Sequence, residues 1–273
     1  MSRVVLSNAH NTLTVETDGA RLVSYVPAHG DEVMARLADG SGGMPICWPW
    51  FSGHGPKGCR RHGLARYCPF KVVRRDESPL DSALELELVA EGETLKAFDF
   101  VFRLRVVYRL TDRLEISLAG TNLDKRPFAV TEMFHPYFRV GDVSACRVKG
   151  LDEERIAAGP RIVDLPEVPV HAYSLVDPVL GRELKFTSTG DCAAVVWNPG
   201  ESPATAVSSA LVPGEWRRFV CVENGTALPE QAYVLQPGQS HTLTRTIQVV
   251  ETCWGQAPFG DLLGTGPIWG RFK

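Results

Sequence analysis

Along much of this chain apolar and polar residues alternate one by one, which is the period of a half-buried β-strand. In Leu84-Glu85-Leu86-Glu87-Leu88 the leucines fall on one face and the glutamates on the other. From Phe102 to Leu110, one face carries Phe102, Leu104, Val106, Tyr108 and Leu110. The opposite face carries Arg103, Arg105, Val107 and Arg109. Leu114, Ile116 and Leu118 repeat the pattern after Thr111-Asp112-Arg113, a connection as short as a hairpin turn. Later, Leu243, Arg245, Ile247 and Val249 alternate with Thr242, Thr244, Thr246 and Gln248. These segments predict antiparallel strands with one wet face. No stretch shows the i, i+3, i+4, i+7 apolar spacing of a helix over three turns.

The segment from residue 152 to 178 is rich in proline and charge, and predicts a long excursion from the sheet. With no internal repeat and no compositional boundary, the pattern predicts one all-β domain over residues 1–273, a large antiparallel sandwich or barrel. An irregular tail at about 251–273, with Trp254, Phe259 and Trp269, is expected to pack on it.

One stretch breaks the alternation. Residues 42–66, GGMPICWPWFSGHGPKGCRRHGLAR, gather Trp48, Trp50 and Phe51 among glycines and prolines, followed by Lys57, Arg60, Arg61 and Arg66. Glycine and proline interrupt a ladder, so this is not a plain core strand. The aromatics would be left in water in a flexible linker. Aromatics beside converging cations suit a polar, ring-shaped or anionic ligand. The same aromatics also suit core packing.

The formal net charge of −3 gives no reason to expect nucleic acid or a membrane surface as partner. The seven cysteines (47, 59, 68, 146, 192, 221 and 253) are scattered without any C-x-x-C. That spacing predicts neither a disulfide framework nor a metal site, and suggests a reducing compartment. With no apolar leader at the start and no run of membrane-spanning length, a cytoplasmic chain is expected.

Three further places bear candidate chemistry. His135 interrupts the aromatic run Met133-Phe134-His135-Pro136-Tyr137-Phe138, as either a satisfied core residue or a proton carrier. Ala193 to Gly200, AAVVWNPG, reads as a buried strand closed by a turn. Glu223 follows Phe219-Val220-Cys221-Val222, where a strand should still be buried. Desolvation there would raise its pKa toward that of a base useful near neutrality, unless the residue lies at a strand end facing water.

GGMPICWPWF, RHGLAR, FHPYF, VVWNPG and FVCVEN, in that order, resemble the glucose-6-phosphate 1-epimerase (hexose-6-phosphate mutarotase) family of the aldose 1-epimerase superfamily. The resemblance runs from about Thr14 to Val249. It implies a galactose mutarotase-like β-supersandwich that interconverts α and β anomers of a small-molecule sugar or sugar phosphate, without cofactor or metal. By motif match His135 is the acid and Glu223 the base, while His62 and Arg66 bind the sugar. The family's binding aspartate maps to Asp164, with Glu154 as its rival.

Two departures concern specificity. Ser41 stands where the family carries a phosphate-binding arginine, and Arg61 replaces a glutamine. With Lys57 and Arg60 nearby, a relocated phosphate clamp is one expectation and a neutral sugar the other. A non-catalytic sugar sensor is the competing function. A monomer is expected, with a weak dimer as the alternative.

Overall fold

The computed structural model describes residues 2–90, 96, 98–151, 156–201 and 211–252. The candidate Glu154, and the tail beyond Thr252 with Trp254, Phe259 and Trp269, lie outside the described residues.

The alternating segments form strands. β1 (Arg3–Ser7), β2 (Asn11–Glu16) and β3 (Arg21–Pro27) make a three-stranded antiparallel sheet. β4 (Ile46–Cys47) begins the glycine-rich stretch. β5 (Lys71–Asp76), β6 (Ser82–Val89), β7 (Phe102–Leu110) and β8 (Leu114–Asn122) follow as an antiparallel meander. β9 (Phe128–Val130), β10 (Met133–Phe134), β11 (Tyr137–Arg139) and β12 (Arg147–Lys149) are short. β13 (Gly159–Asp164), β14 (His171–Asp177), β15 (Arg182–Thr189), β16 (Ala193–Asn198), β17 (Phe219–Gly225), β18 (Tyr233–Leu235) and β19 (Ser240–Glu251) complete the order.

Two large sheets result. One has eight strands in the order β12-β14-β15-β19-β8-β7-β6-β5, and the other follows β13-β16-β17-β10-β4 with β11 also paired to β17. The helical members of the element order are four short 3₁₀ turns. No helix among them is long and apolar enough to cross a membrane.

The period-2 pattern is realised residue by residue. Leu84, Leu86, Leu104, Val106, Tyr108, Ile116 and Leu118 point into a core shared with Leu13, Leu22, Trp48 and Phe134. Each large apolar side chain removed from water contributes roughly 1.5–3 kcal/mol. The outer face of β6 and β7 is an exposed ionic lattice: Arg105 contacts Glu87 at 2.9 Å and Glu85 at 3.3 Å. Such solvated pairs contribute little.

The expected excursion over residues 152–178 is not one. It contains β13 and β14. β13 is the edge strand of its sheet, where Pro160 can pair with Trp197 without breaking an inner ladder. β14 is buried at nearly every position because it lies inside the eight-stranded sheet, which removes the alternation that would have revealed it.

Neighbouring residues on opposite faces of β7 should respond differently to truncation. Leu104→Ala should cost about 2–5 kcal/mol in a urea-unfolding measurement. Arg105→Ala should cost no more than about 1 kcal/mol. Equal losses would refute the assignment of faces.

Candidate active site

β17 is buried along its whole length and carries Glu223, which is 1% exposed. A carboxylate there faces a sheet surface rather than water. β10 and β11 are two pieces of one ladder on β17: Phe134 pairs with Asn224 and Tyr137 with Cys221. Both pieces keep one register, so His135, between them, falls opposite Glu223. Pro136 cannot donate to the ladder, and the His135 N–H turns instead to the Pro45 carbonyl at 3.1 Å. The side chains meet with His135 Nε2 3.6 Å from Glu223 Oε1.

Burial dominates the electrostatics of this pair. It pushes Glu223 well above the ordinary carboxylate value, while the guanidinium groups of Arg66 and Arg245 pull the other way. It pushes His135 well below the ordinary imidazole value, reinforced by His62 and Arg66. Both groups therefore favour their uncharged forms. Among the described residues, His135 Nδ1 and Glu223 Oε2 have no hydrogen-bond partner. Buried polar atoms of this kind carry a desolvation cost that a polar ligand can relieve.

The same face continues on either side. Tyr137 stacks on His135 with ring centroids 5.1 Å apart and an 8° interplanar angle. Trp197 lies edge-on to both rings at 6.3 and 6.1 Å. The register places Val195, Cys221, Gly225 and Met133 on this surface, together with Cys47 from β4. Burial, opposed by Arg66, pushes the Cys47 thiol up to about 12, and burial likewise raises Cys221. Both thiols are uncharged.

The glycine-rich stretch forms the remaining wall. Trp48 is fully buried against Phe102, at 4.4 Å between ring centroids, and its carbonyl accepts from the N–H groups of Leu64 and Ala65. Trp50 is core as well, its indole donating to the Arg60 carbonyl. Phe51 instead borders the site, 5.1 Å from the His62 ring. The ambiguity over the three aromatics thus resolves as two in the core and one at the site.

His62 is held by Ser52 through two bonds: its N–H donates to the Ser52 carbonyl at 2.7 Å, and its Nδ1 accepts from the Ser52 N–H at 3.3 Å. An accepting Nδ1 leaves the proton of a neutral ring on Nε2. Burial, with Arg66, Arg61 and His54, lowers its pKa to about 3. The ring is a neutral donor, edge-on to His135 at 5.2 Å. Ser52 and His62 both adopt positive φ, 52° and 65°, which is uncommon away from glycine and costs on the order of 1–3 kcal/mol each.

The structure thus brings His62, Arg66, His135 and Glu223 together. Arg61 is exposed, binds Ser52 Oγ at 2.9 Å and adds its field at His62. Asp164 lies on the edge strand, paired with Ala193 and so on the Glu223 face, where it accepts from Gln231 Nε2 at 2.9 Å. Lys57 and Arg60 are exposed on the loop, and the Arg60 guanidinium covers the Tyr67 ring at 4.7 Å.

Sequence reasoning missed Tyr137 and Cys221, each two positions from a proposed proton carrier and so on the same face. It also missed Arg245, a fully buried cation behind β17 whose Nη1 donates to Asn224 Oδ1 at 2.9 Å. Its signal was an arginine on the inward face of an alternating strand.

Residues 2–169 match the model of the aldose 1-epimerase family. The chain belongs to the aldose 1-epimerase family. A protein of Salmonella typhimurium named as a candidate glucose-6-phosphate 1-epimerase is 29% identical, covering 91% of this chain and 90% of that protein. One of the same name from Cenchrus ciliaris is 30% identical, over 88% of this chain and 82% of its own. The crystal structure of a candidate mutarotase from Salmonella typhimurium superposes with a TM-score of 0.81 at 26% identity, over 91% and 90% of the two chains. A galactose mutarotase-like protein from Lactobacillus casei shares the fold, with a TM-score of 0.72 at 20% identity over 91% and 100%. The epimerase is accordingly a sugar isomerase on a galactose mutarotase-like β-sandwich.

The wall that carries His62 depends on Gly63, whose φ is 75° and where any Cβ would collide with the Trp48 carbonyl oxygen. Gly63→Ala should lower the melting temperature by several degrees, since about 1 kcal/mol corresponds to roughly 2–4 °C in a chain of this size. It should also impair sugar binding beyond the stability loss. An unchanged melting curve would contradict the packing of this turn.

Proposed function

We propose that this epimerase interconverts the α and β anomers of a hexose 6-phosphate, with Glu223 and His135 as the proton-transfer pair. The observation that carries the reading is this buried pair, opposed in register and 3.6 Å apart. Its two shifts away from the charged forms favour a neutral imidazole beside a protonated carboxyl, so the pair carries one mobile proton. Relatives named as candidate glucose-6-phosphate 1-epimerases support the substrate class.

The reaction needs one proton removed and one supplied at the same hemiacetal. Glu223 takes the proton of the anomeric hydroxyl, C1 becomes a carbonyl, and the bond from C1 to the ring oxygen breaks. His135 gives its proton to that oxygen. The aldehyde rotates about C1–C2, and the same two transfers run backwards on its other face. The pair holds one mobile proton throughout, so no net proton enters or leaves. Sugar hydroxyls donating to Glu223 replace its lost hydration, and Arg66 and Arg245 favour the anion. His62 supplies a neutral N–H donor and Arg66 a charged fork to ring substituents. Arg61 and Asp164 hold the outer hydroxyls from the two edges of the face. No step calls for a metal or an organic cofactor.

A sugar sensor would need the polar walls but not a buried acid–base pair. Saturation-transfer NMR on glucose 6-phosphate separates the two functions: anomer exchange should exceed the buffer rate in proportion to protein. Glu223→Gln and His135→Asn should each lose about 10²–10⁴-fold with the fold intact. Binding without acceleration would establish the sensor.

The pH profile follows from the shared proton. Below the lowered pKa of His135 a second proton enters the pair and no base remains. Above the raised pKa of Glu223 the last proton leaves and no acid remains. Activity on a free aldose should therefore hold a plateau whose acid limb lies below 6.5, the ordinary imidazole value, and whose alkaline limb lies well above 4.5, the ordinary carboxylate value. A bell confined between 4.5 and 6.5, with the carboxylate as its acid limb and the imidazole as its alkaline limb, would contradict a desolvated pair.

A further inference from the structure

Beside the acid–base pair, at the other end of β17, a cleft of about 720 Å³ is lined by Arg36, Arg139, Arg217 and Arg218. Its volume is that of a small-molecule site. We propose that these four arginines form the clamp for the substrate's phosphate. This rests on the mutarotase reading above and names the residues that would give it specificity for a phosphate ester.

Three observations carry the assignment. The first is charge. Four guanidinium groups line the cleft against one carboxylate, and that carboxylate is already committed. Glu215 accepts from the Ala38 N–H at 2.8 Å and from the Val212 N–H at 3.2 Å. The outer counter-charges are loose: Arg217 Nη1 lies 3.6 Å from Asp142, and Arg139 Nη1 lies 3.4 Å from Asp31.

The second is donor capacity. Each guanidinium has five N–H donors in a planar fork suited to phosphate oxygens. Arg218 spends one at 2.8 Å on the Gly141 carbonyl, which fixes its direction. Arg217 lies over the Trp216 ring at 4.6 Å. Arg36 is exposed, with no hydrogen bond or ion pair among the described residues.

The third is continuity with the acid–base face. Phe219, Cys221 and Glu223 alternate along one face of β17, and Arg139 pairs with Phe219 just as Tyr137 pairs with Cys221. Ala35, Leu37 and Phe219 line the cleft and also pack with Tyr137 and Cys221. Four residues of strand separate Glu223 from Phe219, roughly 13–14 Å. A hexose phosphate with its C1 at Glu223 covers most of that span, and extended arginine side chains cover the remainder. Ser41 stands at the edge of this wall: its carbonyl accepts from the Leu37 N–H, and the adjacent Gly42 is the bridge partner of Arg36. The cation absent at position 41 is thus replaced from neighbouring segments.

The test is the double substitution Arg36→Ala/Arg217→Ala, two solvent-accessible side chains whose loss leaves the core intact. Saturation-transfer NMR would give KM and kcat for glucose 6-phosphate and for glucose. KM for the phosphate ester should rise at least about tenfold with kcat little changed, and glucose kinetics should stay as in the wild type. Unchanged KM for glucose 6-phosphate, or an equal rise for glucose, overturns the clamp. Lys57→Ala/Arg60→Ala is the counter-test, and a rise in KM there without one at Arg36/Arg217 also overturns it. Calorimetric titration with inorganic phosphate keeps the clamp testable if the wild type accelerates neither sugar. Phosphate bound by the wild type and lost in the Arg36/Arg217 variant supports the anion site, whereas equal binding by both refutes it.

Discussion

A carboxylate buried in the middle of a sheet is the constraint around which this structure is arranged. Glu223 sits on a strand with no exposed position, and leaving an isolated charge there would cost several kcal/mol. The surroundings answer that cost from two directions. Arg245, fully buried behind the strand and 4.2 Å from the centre of the Phe186 ring, supplies positive potential from the core. Arg66 supplies it from the open side. Neither cation forms an ion pair with Glu223 among the described residues. The carboxyl is left basic enough to accept a proton, and its ionised form remains accessible. A direct salt bridge would have removed that balance by fixing the charge.

The second requirement is a rigid wall opposite the pair. The stretch after β4 meets it by splitting its aromatics. Trp48 and Trp50 anchor the backbone in the core, and this frees Phe51 and His62 to face the site. The anchoring holds Ser52 and His62 in uncommon backbone conformations, which persist because reciprocal bonds and the contact between Gly63 and Trp48 over-determine them. In return, His62 has one tautomer and one orientation. The loop therefore behaves as part of the sheet surface.

The alternation of single residues was enough to read β6, β7, β8 and β19, because each has one wet face. It failed for β13, where a proline at an edge position looked like loop, and for β14, which is covered on both faces. At the site, Glu223 was visible as a charge in an apolar run. Its opposition to His135 was not, because it depends on the register of strands that lie far apart in the chain. Arg245 was visible as an inward arginine but had no meaning until β17 was placed above it. Residue type could be read locally, whereas pairing required the tertiary register.

That register also separates two tasks along one strand. Toward the middle of β17 the residues are buried and the thiols uncharged, and a full negative charge brought beside Glu223 would raise its carboxyl further. A phosphate dianion held beside Glu223 would do just that and would oppose formation of the base. In the proposed clamp, the arginines around Phe219 would hold the dianion two side-chain steps from the carboxyl on that face. Their positive field would offset the charge of a phosphorylated substrate. The distance between the two ends thus has an electrostatic reason as well as a steric one. An enzyme for a phosphorylated sugar gains from binding the charged end where it least disturbs the reacting end.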